Sequence, residues 1–199
     1  MRPFDRVRSR AVPLGRSDVD TDQIIPAQHL KRIERTGFGE FAFEAWRRDE
    51  GFVLNRPEYE GAQILIAGSN FGCGSSREHA AWALEDFGLR VIVAPSFGDI
   101  FRNNCANVGV LTVTLPEERV GALLALAGAD PTGEFEVDLD ARRLTAPDGS
   151  VDVLDVDPFV RENLLQGRDK VELTLLRSAE IAAFEERRPE YRPSFGTRS

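Results

Sequence analysis

The stretch QILIAGSNFGCGSSREHAAWALEDFGLRVIVAPSFGDIFRNNCANVGVLTVTL, residues 63–115, decides the fold of this chain. Short apolar runs, typical of buried strands, alternate in it with stretches whose apolar residues recur at helical spacing. Strands are predicted over 63–67, 91–94 and 110–115, and helices over 75–87 and 97–107. This order is typical of parallel βαβ units with right-handed crossovers. We therefore predict an α/β protein with a parallel sheet at its centre.

Further elements are predicted on both sides of this segment. Before it, the patterns indicate a strand over 6–14, a polar turn over 17–22, a short helix that Pro26 opens, and an aromatic-rich helix over 37–51. After it, Pro116 and two glutamates begin a third helix, since acidic residues suit a first helical turn.

From about residue 134 the pattern changes to short alternating strands. They are FEVDLD, RRLTA and VDVLDV, and a Pro-Asp-Gly turn separates the last two. A helix that Asp157 and Pro158 begin, a strand over 171–176 and a helix over 178–187 follow. We expect a single domain over 1–199, with extra antiparallel strands beside the parallel core and a loose tail over about 188–199.

The composition excludes several classes of function. The 199 residues carry 25 basic and 33 acidic side chains, a net charge of −8, which disfavours binding to nucleic acid. Two cysteines cannot by themselves hold an iron–sulfur cluster, and the presence of only two histidines besides disfavours a closed zinc site, so we expect no metal in this chain. The longest nearly apolar stretch, 120–129, is too short for a bilayer. We expect a cytoplasmic protein that does not bind membranes.

The glycine-rich loop GSNFGCGSSREH, residues 68–79, predicts a site for an anion. Glycines let the backbone approach a ligand, and the free N–H groups of the following helix favour negative charge. Arg77 adds a cation that can bind a carboxylate with two hydrogen bonds. The glycine spacing matches neither the P-loop nor the dinucleotide fingerprint, so nucleotide binding is a weaker hypothesis.

Several residues of this loop also have purely structural interpretations. Ser75 and Glu78 have the spacing of a capping box, in which the serine accepts a backbone hydrogen bond at the start of the helix. Ser76 could be a solvent-facing residue of the first turn. Cys73 could be a mildly activated thiol or a small loop residue without chemistry. His79 is expected to be a packed residue.

Three ordered motifs give the chain a family resemblance. GSNFGCGSSREHA, with DVDTDQIIPA before it and PSFGDIFRNNCANVG after it, resembles the small subunit of bacterial 3-isopropylmalate dehydratases. That family corresponds to the swivelling fourth domain of aconitase, a three-layer β/β/α unit. The resemblance extends from about Val7 to Pro189.

The resemblance implies a hydro-lyase that isomerises 2-isopropylmalate to 3-isopropylmalate through isopropylmaleate, in leucine biosynthesis. It also implies a large partner subunit that carries a [4Fe–4S] cluster, whose open iron binds the substrate. By position, Ser75 would act as an alkoxide base and Arg77 would bind a carboxylate and stabilise that alkoxide. Gly74 and Ser76 would help to hold the substrate.

Two further segments are implicated by the same resemblance. Asp20, Thr21 and Asp22 would border the active site, although an Asx-rich turn explains them equally well. A calcium loop is rejected because the required glycine and glutamate positions hold Gln23 and His29. In the segment AQHLKR, Leu30 would suit an isopropyl group and Lys31 or Arg32 could attract a carboxylate. The alternative is a short amphipathic helix with Leu30 in the core.

Two other functions remain open at this level. A related small subunit could serve citramalate/citraconate or homoaconitate hydration, and a homoaconitase-like enzyme would be expected to have an extra cation near Leu30. A stand-alone anion- or nucleotide-binding module, without chemistry, belongs to a different class. Such a module would bind its ligand without any partner subunit.

Overall fold

A computed structural model describes residues 1–32 and 35–188. Within these residues seven strands form one mixed sheet, in the order β4-β3-β2-β1-β5-β6-β7. The strands are β1 (Arg6–Pro13), β2 (Ile64–Ile66), β3 (Val91–Ala94), β4 (Leu111–Thr114), β5 (Glu134–Asp138), β6 (Arg143–Thr145) and β7 (Val151–Val153). Strands β1 to β4 are parallel, whereas β5 to β7 add to β1 in antiparallel fashion. The predicted α/β class, with a parallel core and antiparallel additions, is confirmed.

The helices lie between and after these strands. They are α1 (Thr21–Ile24), α2 (Glu44–Arg47), α3 (Glu78–Asp86), α4 (Asp99–Val108), α5 (Glu117–Ala129), α6 (Pro158–Gln166), α7 (Lys170–Leu175) and α8 (Ser178–Glu186). Short 3-10 helices cover Ala27–Lys31, Gly39–Phe41, Val53–Asn55 and Pro57–Tyr59. Asp157 caps α6 as the sequence predicts, accepting hydrogen bonds from the first-turn backbone at 2.9 and 3.0 Å.

Alternate residues of the central strands face two separate cores. Leu65 and Ile92 pack with α3 and α4 on one face, together with the aromatic segment that follows α1. Ile64 and Val91 pack on the other face with α5 and with the antiparallel strands. Because parallel strands are covered on both faces, they read as continuous apolar runs in the sequence.

Three local predictions are wrong. Residues 171–176, predicted as a strand, lie mostly in helix α7, because Asp169 and Glu172 form a capping box that starts a helix there. The single helix predicted over 37–51 is interrupted: Phe43 adopts φ +54°, which ends one turn before α2 begins. The polar turn over 17–22 contains the start of α1, which has Asp20 as its cap.

The predicted loose tail falls almost entirely on residues 189–199, which lie outside the described residues. In the described ranges, no helix has both the length and the apolar character needed to cross a bilayer.

Candidate active site

Three parallel strands end at the same edge of the sheet, and the segments that leave them meet there. Pro13 of β1 is in register with Ile66 of β2, which is in register with Val93 of β3. The loops after these strands enclose a cleft of about 240 Å³, lined by Thr21, residues 72–77 and residues 98–101. Open α/β sheets bind ligands beyond the carboxyl ends of their strands, so this is the expected position for a site.

Two glycines allow these loops to approach each other closely. Gly72 has φ +73°, and a Cβ built there would lie 2.1 Å from the Phe101 ring. A Cβ on Gly98 would lie 2.5 Å from the carbonyl oxygen of Gly72. The Gly72 amide donates to the Val19 carbonyl at 2.7 Å, which ties the glycine loop to the segment after β1. Larger residues at either position would push the cleft walls apart.

Ser75 lines the cleft and is exposed to solvent. The predicted capping box with Glu78 is absent, because α3 begins at Glu78 and its N-cap residue is Arg77, without a side-chain cap. The helix therefore does not compete for the Ser75 hydroxyl. The Thr21 hydroxyl donates to the Ser75 carbonyl oxygen at 2.9 Å, and this hydrogen bond fixes the backbone that presents the serine.

Arg77 lies beside Ser75 and forms an ion pair with Asp22. Its side chain is only 18% exposed, whereas that of Asp22 is 51% exposed. The hydrogen bond to Asp22 uses one guanidinium nitrogen, Nη1, of a group with five N–H donors. The pair therefore orients the guanidinium and leaves donors for an incoming carboxylate.

Helix α1 connects the Asp-rich segment to the glycine loop. Asp20 and Gln23 form a capping box, with hydrogen bonds of 2.8 and 2.9 Å, so the Asx-rich segment has a structural role. The Thr21 amide also donates to the Cys73 carbonyl at 3.0 Å. The predicted border residues thus lie beside Ser75 and Arg77. The hydrogen bonds from Thr21 to Ser75 and from Arg77 to Asp22 each join residues more than 50 positions apart in the sequence.

Leu30 and Lys31 are not brought into this cleft. Both belong to the 3-10 helix Ala27–Lys31, where Leu30 is half-buried and Lys31 exposed. The neighbouring His29 holds this helix against α2, since its Nε2 lies 2.6 Å from a Glu44 carboxylate oxygen and its ring stacks on Phe41. Gly74 and Ser76, in contrast, lie in the cleft wall.

The two thiols are not activated. Burial, with smaller contributions from Asp20 and Asp18, raises the pKa of Cys73, which is opposite to what a reactive thiol needs. Cys105 is buried, and burial raises the pKa of its thiol as well. Among the described residues no three His, Cys, Asp or Glu side chains come together as metal ligands.

The N-terminus of α4 is a part of the site that motif analysis of the glycine loop missed. Gly98 to Phe101 form the wall opposite Ser75, and Ile100 is 53% exposed there. The N-cap residue of α3, Arg77, and the first turn of α4 therefore both border the cleft, and the free N–H groups at these helix N-termini favour an anion. The signal was present in the sequence, since PSFGDIF belongs to the third of the motifs.

Known proteins share this architecture over nearly the whole chain. The Aconitase C-terminal domain family matches residues 1–118. The 3-isopropylmalate dehydratase small subunit of Rubrobacter xylanophilus is 55% identical over 97% of this chain and 98% of its own length. That of Acidothermus cellulolyticus is 54% identical over 98% of each chain.

A solved structure agrees with these sequence relatives. The crystal structure of 3-isopropylmalate dehydratase from Methanocaldococcus jannaschii superposes with a TM-score of 0.66 at 25% identity, covering 90% of this chain and 99% of that one. Family model, full-length relatives and solved structure all agree with the family that the motifs indicate. The chain belongs to the family of 3-isopropylmalate dehydratase small subunits, within the aconitase C-terminal domain group.

Proposed function

We propose that this chain is the small subunit of a two-subunit 3-isopropylmalate dehydratase. The enzyme isomerises 2-isopropylmalate to 3-isopropylmalate by removing and re-adding water, through isopropylmaleate, in leucine biosynthesis. The observation that carries this proposal is an exposed Ser75 in a cleft bordered by Arg77 and by two helix N-termini. We expect the enzyme to act in the cytoplasm, where Cys73 and Cys105 stay reduced.

Ser75 is the proposed base. As an alkoxide, its oxygen would take the proton from the substrate carbon next to a carboxylate. The electron pair of that C–H bond would form the double bond of isopropylmaleate, and the hydroxyl group would leave the neighbouring carbon as hydroxide with the electron pair of its C–O bond. A serine hydroxyl is a weak base at neutral pH, so it needs a positive field to lose its own proton. The Arg77 guanidinium and the N–H groups at the start of α3 and α4 provide that field.

Arg77, Ser76 and Gly74 are the proposed groups for substrate carboxylates. The guanidinium offers paired N–H donors that match the geometry of a carboxylate. The Ser76 hydroxyl and the backbone at Gly74 lie in the same wall of the cleft. Asp22 would hold the guanidinium in its orientation through the ion pair.

The metal centre of the reaction would belong to the large subunit. A [4Fe–4S] cluster needs at least three thiolates, and this chain has only two cysteines, of which Cys105 is buried. The residues of this chain therefore do not fit the cluster. Bound to the partner, it would supply the Lewis acid for the departure of the substrate hydroxyl. The cleft of this chain would then supply the base and the carboxylate site.

Leu30 and Lys31 are proposed to meet the variable side of the substrate when the two subunits come together. In this structure they lie on the 3-10 helix that follows α1, outside the cleft. Leu30 would contact the isopropyl group, and Lys31 would attract a carboxylate. Rates on 2-isopropylmalate, citramalate and homocitrate would rank the alternatives, and a preference for homocitrate would contradict this assignment.

The decisive experiment is anaerobic reconstitution with a purified large subunit. We expect Ser75→Ala to lower kcat by about a hundredfold or more, because a positioned base contributes about 10²–10⁴. Arg77→Lys should raise KM, since an ammonium cannot bind a carboxylate with two parallel hydrogen bonds. Ser150→Ala is the matched control, because that serine lies in the β6–β7 turn and should leave the rate unchanged.

Two results would contradict the proposal. A wild-type rate from Ser75→Ala would rule out this serine as the base. Tight binding of an anion by the isolated chain, with no activity on mixing it with the large subunit, would instead favour a stand-alone binding module.

A further inference from the structure

The last three helices present a large apolar surface to solvent. No side chain described in residues 171–186 is buried. Large apolar side chains on α6, α7 and α8 are each between 40% and 65% exposed. They are Phe159, Val171, Leu175, Leu176, Ile181 and Phe184. We call this set the C-terminal apolar surface.

Helices as short as α7 and α8 are not stable on their own. They have 6 and 9 residues, whereas isolated helices shorter than about 12–15 residues are marginal in water. Helical stability in proteins comes mainly from packing an apolar face, and α8 has no buried residue. An exposed apolar surface of this kind typically marks a contact with another macromolecule.

The surface encloses a groove with the layout of a protein interface. The groove has a volume of about 650 Å³ and runs between α6, α7 and α8, with Phe159, Leu176 and Phe184 in its walls. Charged residues of both signs, among them Glu162 and Arg177, line it together with these apolar side chains. Protein–protein contacts combine apolar and polar side chains in this way.

Shared lining residues connect the groove, through two intervening hollows, with the Ser75 cleft. Asp99, in the cleft wall, also lines a hollow of about 560 Å³ between α4 and α6. Asn103 of α4 lines that hollow and a second one of about 440 Å³. Phe159 and Leu173 line both the second hollow and the groove. Neighbouring hollows thus share lining residues from the Ser75 cleft, along α4, to the groove beside α8.

This continuity identifies the occupant. The proposed function requires a cluster-bearing large subunit to close over Ser75, because the two cysteines of this chain are too few for a [4Fe–4S] cluster. A body that covers the cleft and extends along α4 would reach the C-terminal apolar surface. We infer that the C-terminal apolar surface is a docking site for the large subunit, which would present an apolar patch with polar edges there. The inference rests on the proposed function.

The test measures assembly and catalysis separately. Leu176→Asp and Phe184→Asp each place a charge in the groove, and each should raise the Kd for the purified large subunit more than tenfold under anaerobic conditions. Val153→Asp is the matched control, since Val153 is 75% exposed on edge strand β7 and should leave that Kd within about twofold. All three positions are exposed, so circular dichroism and thermal unfolding should match the wild type.

Catalysis distinguishes this surface from the cleft. At a saturating concentration of small subunit, Phe184→Asp should reach the wild-type kcat, whereas Ser75→Ala should bind normally and keep its kcat about a hundredfold or more below the wild type. A hydrophobic dye bound to the isolated wild-type chain should be released when the large subunit is added. Phe184→Asp should bind less of the dye.

Different results identify different failures. If Leu176→Asp and Phe184→Asp assemble as tightly as the wild type, the inference is wrong. It is equally wrong if the only effect of these two substitutions is to separate a self-associated small subunit, because a second copy would then be the occupant. It is also wrong if removing residues 189–199 increases dye binding, because the chain's own end would then be the occupant. If the wild type binds no large subunit, the proposed function itself fails.

Discussion

Replacing Gly72 by alanine tests whether close packing of two loops builds the cleft. Gly72 has φ +73°, where an alanine is strained by about 1–2 kcal/mol. The added Cβ would lie 2.1 Å from the Phe101 ring, and overpacking of this kind typically costs about 1–3 kcal/mol. Phe101 is 3% exposed and cannot swing into solvent without leaving the core. We expect Gly72→Ala to lower the free energy of unfolding by about 2–5 kcal/mol.

Thermal unfolding measures this effect. For a domain of this size, each kcal/mol shifts Tm by about 2–4 °C, so Gly72→Ala should unfold about 4–20 °C below the wild type. Gly121→Ala is the control, because Gly121 lies within α5 and a Cβ there meets no heavy atom within 4 Å. That change should stabilise the protein by about 0.5–1 kcal/mol.

A double-mutant cycle identifies the clash itself. Phe101→Ala removes the ring that the new Cβ would meet, so Gly72→Ala should cost less in that background, with a coupling of about 0.5–3 kcal/mol. An unchanged Tm for Gly72→Ala, or strict additivity with Phe101→Ala, would refute the packing argument for the cleft.

Three other outcomes follow from single contacts. Asp157→Ala should lower the free energy of unfolding by about 1 kcal/mol in urea titrations, because α6 loses its cap. Burial lowers the pKa of His79 below its usual 6.5, so just below that pH the unfolded chain binds a proton that the folded chain does not. The free energy of unfolding should therefore fall as the pH drops through 6.5. His79→Gln should make the free energy of unfolding less dependent on pH in this range. Cys73 and Cys105 should react slowly with a thiol reagent at pH 7 in the folded protein and fast in denaturant, and rapid native labelling would contradict their raised pKa values.

The sequence by itself determined the central architecture and the glycine loop. The strands β2, β3 and β4 lie where apolar runs predicted them, because a strand buried on both faces must be apolar at every position. The cap of α6 was equally readable, since Asp followed by Pro is a local signal. The family resemblance also came from motifs contained within short segments.

Tertiary structure decided how those segments combine into a site. Thr21 contacts Ser75, and Asp22 contacts Arg77, only because β1 pairs with β2 and both strands end at one edge of the sheet. Local spacing predicted Ser75 as a cap, yet α3 begins three residues later, at Glu78. The Ser75 carbonyl accepts a hydrogen bond from Thr21 of α1. Residues 171–176 have an apolar pattern that suits a strand, but they pair with none of the strands in the described chain, and the cap at Asp169 starts a helix instead. Periodicity is a property of neighbouring residues, whereas strand pairing brings together residues more than 50 positions apart, and only the folded chain specifies which ones meet.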